Sequence, residues 1–223
     1  MDRSFINARI CKIGYGVDSR LFFRQIKHVG DNFSYIVADE DVDEAIVVDP
    51  SFNGDFIIQL AKKNGFRVKY VIDTHQHRDH VTDNSRVKSA FGSKIVAHSL
   101  SKVSRDVGVE DGDTLTVGKV KINVIHTPGH TQDSICLLVD GKLLTGDTLF
   151  VGECGRTDLP GSSSEDMYDS LFNKLMKLDD NIEVFPGHDY GPKPHSTIRE
   201  EKRTNYVLKK RSLEEFVEFM REP

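Results

Sequence analysis

The sequence predicts an α/β fold, α+β in arrangement, with sheets packed face to face and helices outside. Strand hairpins and helices alternate along the chain, and they do so twice, in halves of roughly 1–115 and 116–223. With 223 residues, 38% hydrophobic and 29% charged, the chain has a globular balance and can bury roughly 70% of its unfolded surface without staples. No linker separates domains, since Ser162-Ser163-Ser164 is too short, so 1–223 reads as a single domain.

In the first half, Phe33 to Ala38 and Ala45 to Val48 are β-rich runs joined by the acidic loop Asp39 to Glu44, as in a hairpin. Asp49-Pro50 ends the second run. Asp55 is placed as the cap of a helix, Phe56 to Asn64, with Ile57, Leu60 and Ala61 on one face and Gly65 beyond its end. Val68 to Ile72 is a buried-type strand running into a histidine cluster. A helix from Asn84 to Phe91, stopped by Gly92, precedes the strand Lys94 to Ala97. In the second half, Val120 to Ile125 is a strand ending in His-Thr-Pro-Gly-His. Ser134 to Val139 and Lys142 to Thr145 flank Asp140-Gly141, a two-residue hairpin signal. A helix from Glu165 to Leu178 follows a capping serine run, with Leu171, Leu175 and Leu178 as its buried stripe. Ile182 to Phe185 is a strand ending in Pro-Gly-His. Ser212 and Glu215 form a capping box for a last helix, whose inner face is Phe216 with Phe219 or Met220.

Several function classes drop out on composition. Thirty basic residues against 35 acidic ones give a net charge of −5, which speaks against a nucleic-acid partner. The Lys-Lys-Arg run at 209–211 reads as a solvated helix face. No window approaches the ~20 apolar residues that span a bilayer, so no membrane partner is expected. The first ten residues lack the apolar stretch of a signal peptide. Cys11, Cys136 and Cys154 form no Cys-x-x-Cys unit and cannot all pair, which favours a reducing, cytoplasmic setting.

The nine histidines are unevenly spread. Asp73-Thr74-His75-Gln76-His77-Arg78-Asp79-His80 packs three imidazoles and two carboxylates behind a strand, ligand types that suit Zn, Fe, Mn or Co. On an extended chain His75 and His77 point the same way. A turn near Asp79 would swing Asp79 and His80 toward an adjacent position, so one loop could serve two metals. A solvated polar loop is the bland alternative. His130, Asp147 and His188 each follow a further strand, in Thr-Pro-Gly-His, Thr-Gly-Asp-Thr and Pro-Gly-His-Asp settings. Glycine there allows close approach, and proline fixes the turn. Singly, each could be a turn residue; together they match in chemistry and placement.

The order His-x-His-x-Asp-His, then His, Asp and His resembles the metallo-β-lactamase superfamily over nearly the whole chain. The resemblance implies an αββα sandwich, two mixed β-sheets flanked by helices, with His75, His77, Asp79, His80, His130, Asp147 and His188 as its metal residues. Gly152-Glu153-Cys154-Gly155-Arg156-Thr157-Asp158, Pro186-Gly187-His188-Asp189-Tyr190-Gly191, Ser196-Thr197-Ile198 and Glu200-Glu201 resemble the persulfide dioxygenase branch. Its nearest relatives are the glyoxalase II hydrolases of acyl-glutathione thioesters. Only 35 residues follow His188, short for the glyoxalase II helical domain. Relatives carry Asn-Pro where this chain has Asn205-Tyr206.

The dioxygenase resemblance implies one Fe(II) held by His75, His130 and Asp147, a thiol persulfide as the small-molecule substrate, sulfite as product, and the remaining residues as orienting groups. The hydrolase alternative implies two Zn ions held by all seven residues, with catalytic Asp79 aligning the attacking hydroxide. Arg156 is a substrate-binding candidate, a guanidinium able to take a carboxylate, though an ion pair with Asp158 would serve the loop equally well. Tyr190 is a second such candidate, by hydrogen bonding. Cys154 reads as an inert loop cysteine, and His98 as a surface or core histidine. His28, His126 and His195 carry no assignment. Relatives of the dioxygenase type tend toward a homodimer or higher homo-oligomer.

Overall fold

The computed structural model describes residues 20–28 and 30–221; Cys11 and the N-terminal segment read for a signal peptide lie outside them. The first sheet holds, in spatial order, β1 (Leu21–Lys27), β2 (Phe33–Asp39), β3 (Glu44–Val48), β4 (Arg67–Ile72), β5 (Lys94–His98) and β6 (Val107–Val109). The second runs from β7 (Thr114–Val117) through β8 (Val120–His126), β9 (Ile135–Val139), β10 (Lys142–Gly146) and β11 (Glu183–Pro186) to β12 (Ser196–Thr197). Both sheets are mixed. β1–β2–β3–β4 pair antiparallel, antiparallel, parallel, and β8–β9–β10–β11 repeat that order.

Period-2 alternation builds the layers. In β2, Phe33, Tyr35 and Val37 enter the core between the sheets, while Ile36 and Ala38 face the opposite way. There they meet Ile57 and Ala61 of helix α1 (Gly54–Lys63), and Val87, which belongs to α3 (Asn84–Phe91), the helix after the short α2 (Arg78–Val81). In β9, Ile135, Leu137 and Val139 face the first sheet, and Cys136 and Leu138 face the second set of helices. Each such leucine or isoleucine, fully buried, contributes ~1.5–3 kcal/mol. The outcome is helices, sheet, sheet, helices. Among the described residues no helix is long and apolar enough to cross a membrane.

Asp140 and Gly141 both take positive φ, 45° and 73°, the type I′ turn whose twist suits a two-residue hairpin. α3 has the predicted bounds, with Gly92 at φ 70° closing it. α1 differs in its start: Asn53, not Asp55, is the N-cap residue. Asp55 lies in the first turn and pairs with Arg86 at 2.6 Å. The helix expected over 165–178 is not regular. α4 (Ser164–Tyr168) runs on into a π-helical turn, Asp169–Lys174, and then a 3₁₀ turn, Leu175–Lys177. α5 (Ile198–Thr204), unforeseen in the sequence, is capped by Thr197, and α6 (Leu213–Phe219) carries the expected capping box.

Candidate metal centre

All seven histidine and aspartate candidates converge at one edge of the sandwich, in loops that follow β4, β8, β10 and β11. After β4 the chain bends at Thr74 and His75 and is extended again at His77 (φ −66°, ψ 143°), the residue before α2. His75 and His77 meet, with Nε2 of the former 3.1 Å from Nδ1 of the latter. The short helix α2 then turns Asp79 and His80 toward His188. The Thr74 carbonyl accepts from Ile135 N at 2.8 Å, which fastens this loop to the second sheet.

The donor atoms form two groups with Asp147 between them. His77 Nδ1 lies 3.1 Å from His75 Nε2 and 2.9 Å from His130 Nε2. His80 Nε2 and His188 Nε2 lie 3.2 Å apart, with Asp79 Oδ2 at 3.5 and 3.4 Å from them. Asp147 Oδ2 is 3.5 Å from His130 Nε2 and 3.3 Å from His188 Nε2, and its Oδ1 is 3.4 Å from His80 Nε2.

Hydrogen bonds on the far side of each ring fix where its lone pair points. His130 Nδ1 meets the Arg156 carbonyl at 2.9 Å and so must donate. Thr74 Oγ1 spends its only proton on Asp49 at 2.7 Å, so it accepts from His75 Nδ1 at 3.2 Å. His80 Nδ1 faces Asp49 Oδ2 at 3.0 Å, and His188 Nδ1 faces Asp31 Oδ1 at 3.3 Å. In the neutral rings all four Nε2 atoms are consequently bare lone pairs aimed inward. Asp147 Oδ1 is buried without a hydrogen-bond partner. Converging lone pairs and an orphaned carboxylate oxygen suit a cation, and the nitrogen and oxygen donors suit a transition metal.

Electrostatics point the same way. Burial lowers the His80 and His188 pKa values, but Asp147 and Asp49 outweigh it at His80, raising it to about 9. Hydrogen bonds to Asp147 and Asp79 likewise raise His188 to about 10. Burial raises the pKa of Asp147, yet the surrounding histidines hold it well below the usual carboxylate range. His75, by contrast, is held neutral by burial and by His80. This pocket asks for positive charge.

Two supports escaped the sequence reading, and a third was read there only as a glycine allowing close approach. Asp49, read only as a strand end, is 1% exposed and binds His80, Thr74 N and Thr74 Oγ1. Its signal was a carboxylate placed directly after a wholly apolar run. Asn32 donates to Asp79 Oδ2 at 3.2 Å. Gly187 leaves room for Asp147, since a Cβ there would lie 2.4 Å from Oδ1.

The substrate-side candidates are placed differently. The Arg156 guanidinium makes a bidentate pair with Asp158, both bonds 2.6 Å, and only its carbonyl touches the histidine cluster. Tyr190 stacks on His188 at 4.8 Å and 4°, against Phe150, and is half exposed. Burial pushes the Cys154 thiol up to about 12, matching an inert side chain. His98 is a buried residue, stacked on His126 at 3.9 Å. His28 bonds Ser34 and His195 stacks on Phe185.

A sequence profile of the metallo-beta-lactamase superfamily matches residues 29–105 and 99–188. The mitochondrial persulfide dioxygenase ETHE1 of Homo sapiens is 32% identical over 210 residues, covering 92% of this chain and 82% of that one. The cytoplasmic hydroxyacylglutathione hydrolase of Arabidopsis thaliana is 38% identical over 169 residues, 72% of this chain and 64% of that protein. The crystal structure of ETHE1 from Myxococcus xanthus superposes with a TM-score of 0.86 at 34% identity, covering 90% of each chain.

Proposed function

The chain belongs to the metallo-β-lactamase superfamily, and within it we propose that it is a persulfide dioxygenase, converting a thiol persulfide, O₂ and water to the thiol and sulfite. The observation that carries this reading is the extent of similarity to persulfide dioxygenases, which runs over nine-tenths of the chain in both sequence and fold. His75, His130 and Asp147 would hold one Fe(II) as a two-histidine, one-carboxylate set. Bound there, iron supplies the one-electron chemistry that lets O₂ react with sulfur.

The chain's own residues do the positioning. The Arg156 carbonyl and Thr74 hydroxyl hold His130 and His75 in the tautomer that leaves Nε2 free. Asp49 does the same for His80. Phe150 and the stacked Tyr190 pack against His188 on one side of the site, and Arg156 takes a substrate carboxylate once it leaves Asp158.

A second reading, a zinc-dependent thioester hydrolase, has its own support in the complete second group, Asp79, His80 and His188, available for another ion. Metal analysis of protein purified without added metal, paired with O₂ uptake on glutathione persulfide, separates the two. One iron per chain with O₂ consumption is expected. Two zinc with thioester turnover and no O₂ uptake overturns the dioxygenase in favour of the hydrolase. His188→Ala should reduce a one-iron enzyme mildly and a two-metal hydrolase severely.

A further inference from the structure

The loop His126–His130, which delivers His130, has every one of its five carbonyls engaged, and four of those bonds come from the stretch between 162 and 174. Lys174 Nζ donates to His126 O at 2.6 Å, Ser170 Oγ to Pro128 O at 2.6 Å, Ser163 N to Gly129 O at 2.8 Å and Ser162 Oγ to His130 O at 2.7 Å. Thr148 Oγ1 covers the fifth, Thr127 O, at 3.4 Å. Two of the four side-chain or backbone donors, Ser170 and Lys174, sit in the π-helical turn Asp169–Lys174. Buried Met167 presses on the same loop: a Cβ on Gly129 would lie 2.6 Å from its Cα.

A π-helical turn is rare and, where it occurs, frequently lies at a functional site. Leu171 and Leu175 keep their places in the apolar core beside Met167. The same turn presents a fully buried hydroxyl and an ammonium group to a polar loop. Apolar packing alone would need neither group. A buried hydroxyl and a lysine, each bonded to a carbonyl of one five-residue loop, fix its path, and the loop path fixes where the imidazole of its last residue can reach.

We propose that the π turn is a positioning device for His130, with Ser170 and Lys174 setting the place of its Nε2 through the carbonyls of Pro128 and His126. Neither residue touches substrate or metal; both act through the loop. The proposal rests on the reading of His130 as a metal ligand.

Cobalt(II) binding to the metal-stripped full chain tests it, read by chelator competition and by the visible spectrum of the bound ion. Thermal unfolding of the metal-free protein is measured alongside. Ser170→Ala and Lys174→Met should each weaken cobalt affinity about 10- to 100-fold, the range for groups that orient a metal ligand, and alter the spectrum. Lys174→Arg, which keeps a donor, should recover most of the affinity. If the variants only lower the melting temperature, by equal amounts with and without cobalt, and bind it as wild type does, the positioning role is overturned. If the wild-type chain binds no cobalt, the metal reading fails and this proposal with it.

Discussion

Gly187→Ala isolates the packing behind Asp147. An added Cβ would stand 2.4 Å from Asp147 Oδ1 and 3.0 Å from His80 Cε1. Gly187 is not among the glycines with positive φ, so alanine strains no backbone angle and the whole effect is contact. Ordinary separation of heavy atoms is about 3.5 Å, so the carboxylate must retreat by about 1 Å. That retreat pushes it against His80, His130 and His188, which surround the side chain. Overpacking of this kind costs about 1–3 kcal/mol, leaving the protein folded. A displacement of 1 Å at a reacting centre costs about 10²-fold in turnover, with metal affinity down about 10- to 100-fold. Urea denaturation, steady-state turnover and chelator competition on the same preparation give all three numbers. A variant that loads metal and turns over as wild type does would refute the idea that Gly187 makes room for this carboxylate.

Asp49→Ala removes the buried partner of His80 and of Thr74, and should lower stability by about 3–5 kcal/mol, read from the urea midpoint; a change below 1 kcal/mol would argue against the network. For the substrate side, Arg156→Gln should raise KM about tenfold with kcat nearly constant, as for binding shared by ground and transition states, while Asp158→Asn should lower KM by freeing the guanidinium. Unchanged KM in both would remove Arg156 from recognition. Because Arg156 holds Asp158 down at about 2, the pair stays intact at neutral pH and is lost only as pH falls toward that value. A KM for wild type that is flat from pH 6 to 8, as far as this pair controls it, is the matching expectation.

The candidate site was legible because each of its residues carries its chemistry in its own side chain and sits behind a strong strand signal. Strands with two buried faces, such as β2 and β9, read plainly for the same reason. What escaped was set by partners distant in sequence. β1 is an edge strand with half-exposed residues, so its apolar start Leu21-Phe22-Phe23 is cut short by Arg24 and Gln25. α5 is highly charged, Ile-Arg-Glu-Glu-Lys-Arg-Thr, and its existence depends on the Thr197 cap and on buried Glu201 bonding Gly152 N and Asn205. Asp55 looked like a cap because caps are local, whereas its partner Arg86 lies 31 residues away. The π turn has no local signature at all, since Ser170 and Lys174 bond to carbonyls more than 40 residues earlier.

The tight turn at Asp140-Gly141 has a use in handling the protein. β10 runs from that turn directly to Asp147, and its five residues span about 17 Å at ~3.4 Å each. Every loop of the candidate metal centre lies at the other end of the strands, and Asp140 is exposed at the tip. Exposed tips of small polar residues tolerate inserted sequence well. An affinity tag or fluorescent module spliced between Asp140 and Gly141 would therefore ride on the face opposite the histidines, leaving the pocket mouth open while the chain is immobilised or imaged.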